Sequence, residues 1–449
     1  MALDNNRSEL RRIWTIAWPA SISFLLFTAL NLVDMKWIGF LGTEPVAAVS
    51  LCGNIISVIF GLTGILYTGT LALIARFIGA KDDSSSANSL AHALFLGGLL
   101  GVILAVGGWL GTPALIGFFQ LEPQVHDYAV IYMRLIFIFF MVISCSTPLW
   151  SAFMAAGDTR TPLMLSVVVV LVNAVLDPVF IFDRGEMLVG FFGWGVVGAA
   201  LATLISETMG TGILFALMFT RRFPAARPRF SSLEPREMWR ILKIGIPASI
   251  AMISRPLSTV ILQKILAMFG SGPLAGFGIG LRWIGLNWIF FGGMGVAVSA
   301  LTGQYLGSKE PERADRMVRK GLVVGLIFQC LSSFIYFVYA PELVAFMEDS
   351  RGTVEAGAAF MRWVSVSFFF SSLGGIAGAA MAGAGDTRPV MVISILANWI
   401  LKLPLAWALA LPFGMGVNGI WQAMFYSLVF EGAAMLYWYR KGTWKTKKV

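Results

Sequence analysis

Twelve times along 449 residues the chain runs apolar for about 20 residues or more, and that recurrence limits what it can fold into. The runs fall near 13–39, 46–75, 90–111, 127–155, 162–183, 194–220, 240–269, 273–303, 320–340, 354–381, 389–411 and 415–439. Each is long enough to cross a hydrocarbon core of about 30 Å as a helix, the form that satisfies every backbone group within one segment. The composition fits a lipid environment and not a soluble domain: 57% of residues are hydrophobic, 13% are charged and the mean hydropathy is +0.79. The expected fold is an all-α polytopic membrane protein with twelve transmembrane helices. The start, MALDNNRSELRRIW, lacks a small-residue cleavage site behind a short apolar core, so the first helix is expected to be retained. No segment is left over for a soluble catalytic domain.

Charge orients these helices. With twelve spans both ends share one side, and alternating the loops sorts the Lys and Arg residues unevenly. Of 33, 24 fall at the ends and in the even-to-odd connections, among them Arg7, Arg11, Arg12, Arg76, Lys81, Arg160 and Arg388. The stretches RRFPAARPRF, KEPERADRMVRK and RKGTWKTKK supply most of the others, and only Arg184 and Arg351 lie in the opposite loops. By the positive-inside rule both termini and the central linker are cytoplasmic, and the expected location is the plasma (inner) membrane. The net charge of +9 is explained by topology. Nucleic acid is not expected as a partner, because the basic residues are dispersed and no recognition module is present. Cys52, Cys145 and Cys330 sit singly in apolar runs, and the only histidines are His92 and His126, so neither a disulfide framework nor a zinc site is suggested.

An internal repeat organises the chain. Shifting by 228 residues aligns WPASIS (18–23) with IPASIA (246–251) and LGTEPVAA (41–48) with FGSGPLAG (269–276). The same shift aligns ALIARFIGAKD (72–82) with ALTGQYLGSKE (300–310), and AGDTR (156–160) with AGDTR (384–388). Further on the register slips, although GWGVVG (193–198) still echoes GMGVNG (414–419). The expected domains are an N-lobe of helices 1–6 (residues 1–220), a cytoplasmic linker (221–240) and a C-lobe of helices 7–12 (241–449). Six spans per unit give both copies one orientation, with a pseudo-twofold axis along the membrane normal, and parallel repeats of this kind form transporters with a path between the halves. The echoes themselves need only structural explanations: TRTP and TRP suit helix starts, and the glycine-rich repeats suit turns and close helix approach.

The chemistry is sought where the halves disagree. Asp34 has Leu262 as its counterpart under the shift, and a gapped match of NAVLDP to NWILKLP sets Lys402 opposite Asp177. A charge at mid-bilayer costs several kcal/mol, roughly 2.5–3.5 on insertion scales, so an intramembrane Asp is a functional candidate by default. Counted at 1.5 Å per residue from the outer helix ends, Asp34, Asp177 and Thr203 all lie roughly 9–14 Å deep, which lets them share a site. Asn173 is one turn from Asp177 on the same face. Pro178 cannot donate to the carbonyl of Ala174, which frees that oxygen for a cavity. Two carboxylates, an amide, a hydroxyl and a carbonyl are hard oxygen ligands suited to a proton or to Na⁺. Two carboxylates in a dry site share a proton more readily than both ionise. The structural alternative is that Asp34 pairs with Lys36 or Arg134, and Asp177 with a neighbouring helix. Arg255, Arg282 and Lys402 are candidates for charge in a cavity of the second half, with mutual pairing of the buried charges, Lys402 with Glu431 for instance, as the simpler expectation; Glu207 belongs to the same group. A subset of the Phe, Met and Trp residues is expected to line an adaptable cavity.

WPA followed by VD in helix 1, AGDTRTP before helix 5, NAVLDPVFI, and GVVGAALATLIS in helix 6 together resemble the multidrug and toxic compound extrusion (MATE) family, in its DinF-like branch. The resemblance covers essentially the whole chain. It implies a monomeric exporter of amphiphilic, cationic small molecules, driven by H⁺ or Na⁺ antiport and needing no cofactor. It implies a cation site at Asp34, Asn173, Asp177 and Thr203, with Pro19 as the proline at which helix 1 bends; Pro178, by its missing N–H, is expected to be a second hinge. Leu30 stands where related proteins can carry a tyrosine, and the acidic residues of the NorM-like branch in helices 7 and 10 are absent, so no second-lobe cation site is expected. A flippase for a lipid-linked or amphiphilic substrate is the alternative, tied to a cationic central cavity. A membrane-embedded enzyme would require a nucleophile, base or metal cluster, and none is found.

Overall fold

The computed structural model describes residues 2–185, 190–220, 228 and 233–449, excepting the side chains of 2–8. The side chain of Arg7 and nearly all of the basic segment RRFPAARPRF, with most of the expected linker, lie outside the described residues. The chain forms α1 (Ala2–Gly39), α2 (Thr43–Ala80), α3 (Asp83–Gly117), α4 (Pro123–Ala156), α5 (Arg160–Ile181), α6 (Gly195–Met218) and α7 (Pro235–Ala267). It continues with α8 (Ser271–Gly307), α9 (Pro311–Val338), the short α10 (Ala340–Ala345), α11 (Arg351–Gly383), α12 (Thr387–Ile395), α13 (Leu403–Ala410) and α14 (Gly416–Arg440). Among the described residues there is no strand, and eleven helical spans are long and apolar enough to cross a membrane, α12 to α13 counting as one. The twelfth expected span is present as α14, 25 residues long. Asn418, Gln422, Glu431, two tryptophans and three tyrosines hold its hydropathy below that of the others.

The repeat is visible in the backbone. Gly42 and Gly270, 228 positions apart, precede α2 and α8 with φ of 120° and 101°. Gly157 and Gly385, at 82° and 77°, end α4 and α11, where a left-handed residue closes the helix and glycine meets no Cβ penalty. Even a side chain follows the rule: Lys81 and Lys309 are both left-handed, at 57° and 61°. Within the slipped region one local difference has a structural counterpart. Asn173 precedes Pro178 by five positions, whereas Asn398 precedes Pro404 by six. The extra residue is absorbed by a π-helical segment, Leu396–Lys402, between α12 and α13, a turn type that occurs mainly as single insertions within α-helices. The halves also differ at Pro113 and Pro341: α3 continues through the first, while α9 stops at Val338 and α10 restarts with Pro341 in its first turn.

By its contacts the chain divides into two compact units, Ile22–Gly245 and Met1–Ser21 with Ile246–Val449. Thus α1 and α7 each begin in one unit and finish in the other. The first part of α1 packs on α8, where Gly293 faces the carbonyl of Ala17, and the first part of α7 packs on α2, where Gly245 faces the carbonyl of Ile65. These two contacts are equivalent under the repeat, with the glycine on opposite partners. Each unit has its own apolar core. One gathers Ile38, Cys52, Phe140, Ile181 and Ala200; the other gathers Leu262, Phe277, Phe360, Trp421 and Met424, with Phe277 and Trp421 stacked at 5.5 Å.

Lipid tails are as apolar as leucine, so these helices are held by close packing and interhelical hydrogen bonds, which favours small residues at crossings. A Cβ on Gly97 of α3 would collide with the carbonyl of Ser144 on α4, whereas a Cβ on its neighbour Gly98 meets nothing within 4 Å. Gly97→Ala is therefore expected to lose about 1–3 kcal/mol through overpacking, and Gly98→Ala to be neutral or to gain up to about 1 kcal/mol of helix propensity. Thermal unfolding of the two variants in detergent, followed by size-exclusion fluorescence, compares them directly.

The repeated AGDTR has a capping role in its first copy. The side chain of Asp158 accepts from the N–H groups of Arg160 and Thr161, at 3.2 and 3.1 Å, and from the Thr161 hydroxyl at 2.7 Å. The aspartate, not the hydroxyl before proline, satisfies the start of α5. In the second copy Asp386 instead accepts from Lys447 at 2.8 Å, tying down the terminal segment whose Trp444 is buried against Tyr439. The basic stretch after α8 is also ion-paired. Arg313 reaches Glu310 at 3.0 Å, Lys320 reaches Glu9, and Arg319 reaches Asp315 at 2.9 Å.

Candidate cation site in the first half

Three helices bring the four oxygen-bearing residues together. Gly198 and Gly210 let α6 lie directly against Phe180 and Val169 of α5, which puts Thr203 beside Asn173 and Asp177. The Thr203 hydroxyl donates to Asp34 Oδ2 of α1 at 3.3 Å and lies 3.1 Å from the carbonyl of Ala199. Asn173 and Asp177 are fully buried, Asp34 and Thr203 partly so. Asp34 and Asp177 lie within interaction reach of one another, and a hydrogen bond between two carboxyl groups requires that one of them carry a proton. The helix α5 passes through Pro178 unbroken to Ile181, and α1 likewise through Pro19.

Asn173 stands at the centre. One of its amide atoms lies 2.9 Å from Asp34 Oδ1 and 3.3 Å from Asp177 Oδ2; the other lies 3.4 Å from both Asp177 Oδ1 and Thr203 Oγ1. With nitrogen in the first place the amide donates to two carboxylates. With oxygen there, a carboxyl must carry the proton and donate to it. Carboxylate, hydroxyl and amide oxygens are hard donors, and the residues present fit a proton or Na⁺.

The structural alternatives do not form: among the described residues Asp34 makes no ion pair with Lys36 or Arg134. Lys36 is exposed, and the Arg134 guanidinium lies 5.2 Å from the ring of Trp109. One neighbour was not legible in the sequence. Tyr132 of α4 is buried within electrostatic reach of both aspartates and of Cys52, and no spacing links it to them, because α4 reaches the site through packing alone.

In the second half, Lys402 donates to Ser258 Oγ at 2.6 Å and to Asn398 Oδ1 at 2.9 Å. The expected pairing of Lys402 with Glu431 is not made. Glu431 accepts from one nitrogen of Arg255, Nη2, at 3.1 Å through both oxygens. Arg255 also lies over the ring of Trp288, 4.7 Å from its centroid. Arg282 is exposed and takes no part in this cluster.

The MatE family model matches residues 19–179 and again 247–408, starting points separated by the 228 residues of the repeat. The chain belongs to the MatE family. It is a multi-pass membrane transporter and not an enzyme. This MatE transporter is 26% identical over 447 residues to the probable multidrug resistance protein NorM of Thermotoga maritima, across 98% of this chain and 94% of that one. Its fold superposes on that of a MOP superfamily transporter from Pyrococcus furiosus with a TM-score of 0.90, at 22% identity and covering 98% and 97% of the two chains. A mutant of the Vibrio cholerae MATE transporter VcmN gives a TM-score of 0.90 at 23% identity, covering 99% and 100%.

Within the site, Thr203→Val keeps the shape and removes the donor to Asp34. It is expected to weaken the ion dependence of transport by about fivefold, the scale of one net hydrogen bond of about 1 kcal/mol, while Thr203→Ser retains it. Ion titrations of transport rate in proteoliposomes separate the two variants.

Proposed function

We propose that this MatE transporter exports amphiphilic, cationic small molecules by antiport with H⁺ or Na⁺, with Asp34, Asn173, Asp177 and Thr203 as the coupling site. The observation that carries the reading is the convergence of two carboxyls, an amide and a hydroxyl from α1, α5 and α6 in an apolar surround. The multidrug resistance named for its Thermotoga relative supports the substrate class. The transport lobes are residues 1–220 and 241–449, joined by 221–240, and the protein works as a monomer in the plasma (inner) membrane with both termini cytoplasmic. Within the family it falls in the DinF-like branch.

The mechanism follows from charge. With the site unloaded, two carboxylates face one another, and the amide nitrogen of Asn173 is drawn between them. A proton or Na⁺ arriving from outside removes that repulsion, releases the amide to turn, and lets the helices around the site repack. Pro19 and Pro178 are the hinges at which α1 and α5 absorb the change, because a missing N–H leaves each helix without one internal bond. Coupling arises when the loaded site favours the state that releases substrate outward and the substrate favours the other.

Vesicles with imposed gradients test this. Efflux of a cationic dye is expected to require an inward H⁺ or Na⁺ gradient, and Asp34→Asn and Asp177→Asn are each expected to lose that ion dependence. If H⁺ is the ion, efflux falls as the external solution becomes alkaline, since deprotonation empties the site. Variants that export as well as the parent, with the ion dependence intact, overturn the assignment.

A further inference from the structure

The second half contains a cavity of about 90 Å³, lined among others by Arg255, Lys402, Asn287, Gln329, Ser372 and Trp288. Three features set it apart from ordinary packing between helices. The first is charge: two cations, Arg255 and Lys402, face a single carboxylate, Glu431, which Arg255 already occupies through both oxygens. Among the described residues Lys402 forms no ion pair, its ammonium resting on two neutral acceptors with one N–H to spare. The second is a set of orphaned polar atoms. Asn287 Oδ1, Gln329 Oε1 and the Ser372 hydroxyl have no hydrogen-bond partner, although these residues are only 5%, 3% and 1% exposed. Buried polar groups are nearly always satisfied, and several left open around one void mark the place of something that completes them. The third is position: Asn398 and Lys402 occupy the places that Asn173 and Asp177 hold in the first half, so the repeat has kept the amide and reversed the charge.

We infer that this cavity is a subsite for an oxyanion, a carboxylate or a phosphate, carried on an apolar body. Its volume fits a head group and not a whole drug-sized molecule, which takes roughly 300 Å³ or more. The oxyanion accepts the third N–H of Lys402 and the Ser372 hydroxyl. Asn287 and Gln329 then accept from a hydroxyl or N–H of the same head, or turn their amides to donate. The indole of Trp288 and its apolar neighbours cover the attached body. The inference rests on the transport reading for one point only, that the molecule bearing the head is transported, its cationic group lying outside this cavity.

The test uses the full chain in lipid nanodiscs, titrated with pyrenebutyrate, with its methyl ester and with dihexanoyl phosphatidate, following pyrene emission or its displacement. One or both anions are expected to bind at least tenfold more tightly than the ester. Tight binding of the carboxylate alone points to a solute, and of the phosphatidate alone to a lipid head group. Lys402→Met is expected to erase the margin and Lys402→Arg to keep most of it; should Lys402→Met fail to fold, the margin between acid and ester on the parent protein decides. Anions and ester binding within twofold of each other, or a margin that survives Lys402→Met, overturns the subsite. Dye export measured on the same preparation keeps the two readings separate: export without the margin overturns the subsite alone, and the margin without export overturns transport alone.

Discussion

A charge inside hydrocarbon has to be neutralised where it stands, and the polar interior of this protein follows from that requirement. Among the described residues Asp34 and Asp177 form no ion pair, and they sit near one another with support from Asn173 and Thr203. Arg255 and Glu431 solve the same problem by pairing, which leaves Lys402 to two neutral acceptors. Neither arrangement works far from its own helices, because the supporting groups are single side chains held at hydrogen-bond distance. The crossings that hold them are set by small residues such as Gly198 and Gly210.

The duplicated architecture gives this polar interior its logic. Helix boundaries, left-handed residues and even the crossings of α1 on α8 and α7 on α2 recur at one offset. Against that background the differences are confined and chemical. Leucine replaces one aspartate, lysine replaces the other, and one extra residue separates that lysine from the following proline, next to a π-helical segment that ends at the lysine. A fold that keeps its backbone twice while inverting the charge of one pocket has two environments for polar ligands within one scaffold, and in a transporter of the MatE family that is a basis for handling an ion and a substrate separately.

Much of the fold was legible because membrane helices announce themselves by length and apolarity, and because a repeat doubles every signal. The twelve spans, the offset of 228 and the shared depth of Asp34, Asp177 and Thr203 all came from counting. The pairing of the second-half charges did not: Lys402 and Glu431 have opposite signs and are both buried, but Arg255 takes the carboxylate through Nη2, and a contact set by helix crossing has no trace in spacing. Tyr132 was hidden for a related reason, since it sits on a helix whose own pattern says only that one face is packed.

The sequence by itself determined the solvent, the number of crossings, the duplication and the residues that break its symmetry, since each depends on composition or on distance along the chain. Tertiary structure alone decided which of those residues touch. The amide of Asn173 between two carboxyls, the division of α1 and α7 between the compact units, and the open polar atoms around Lys402 all arise from helix crossings, where a glycine or a methyl group sets separations of an ångström or less, a scale at which hydrogen bonds form or fail.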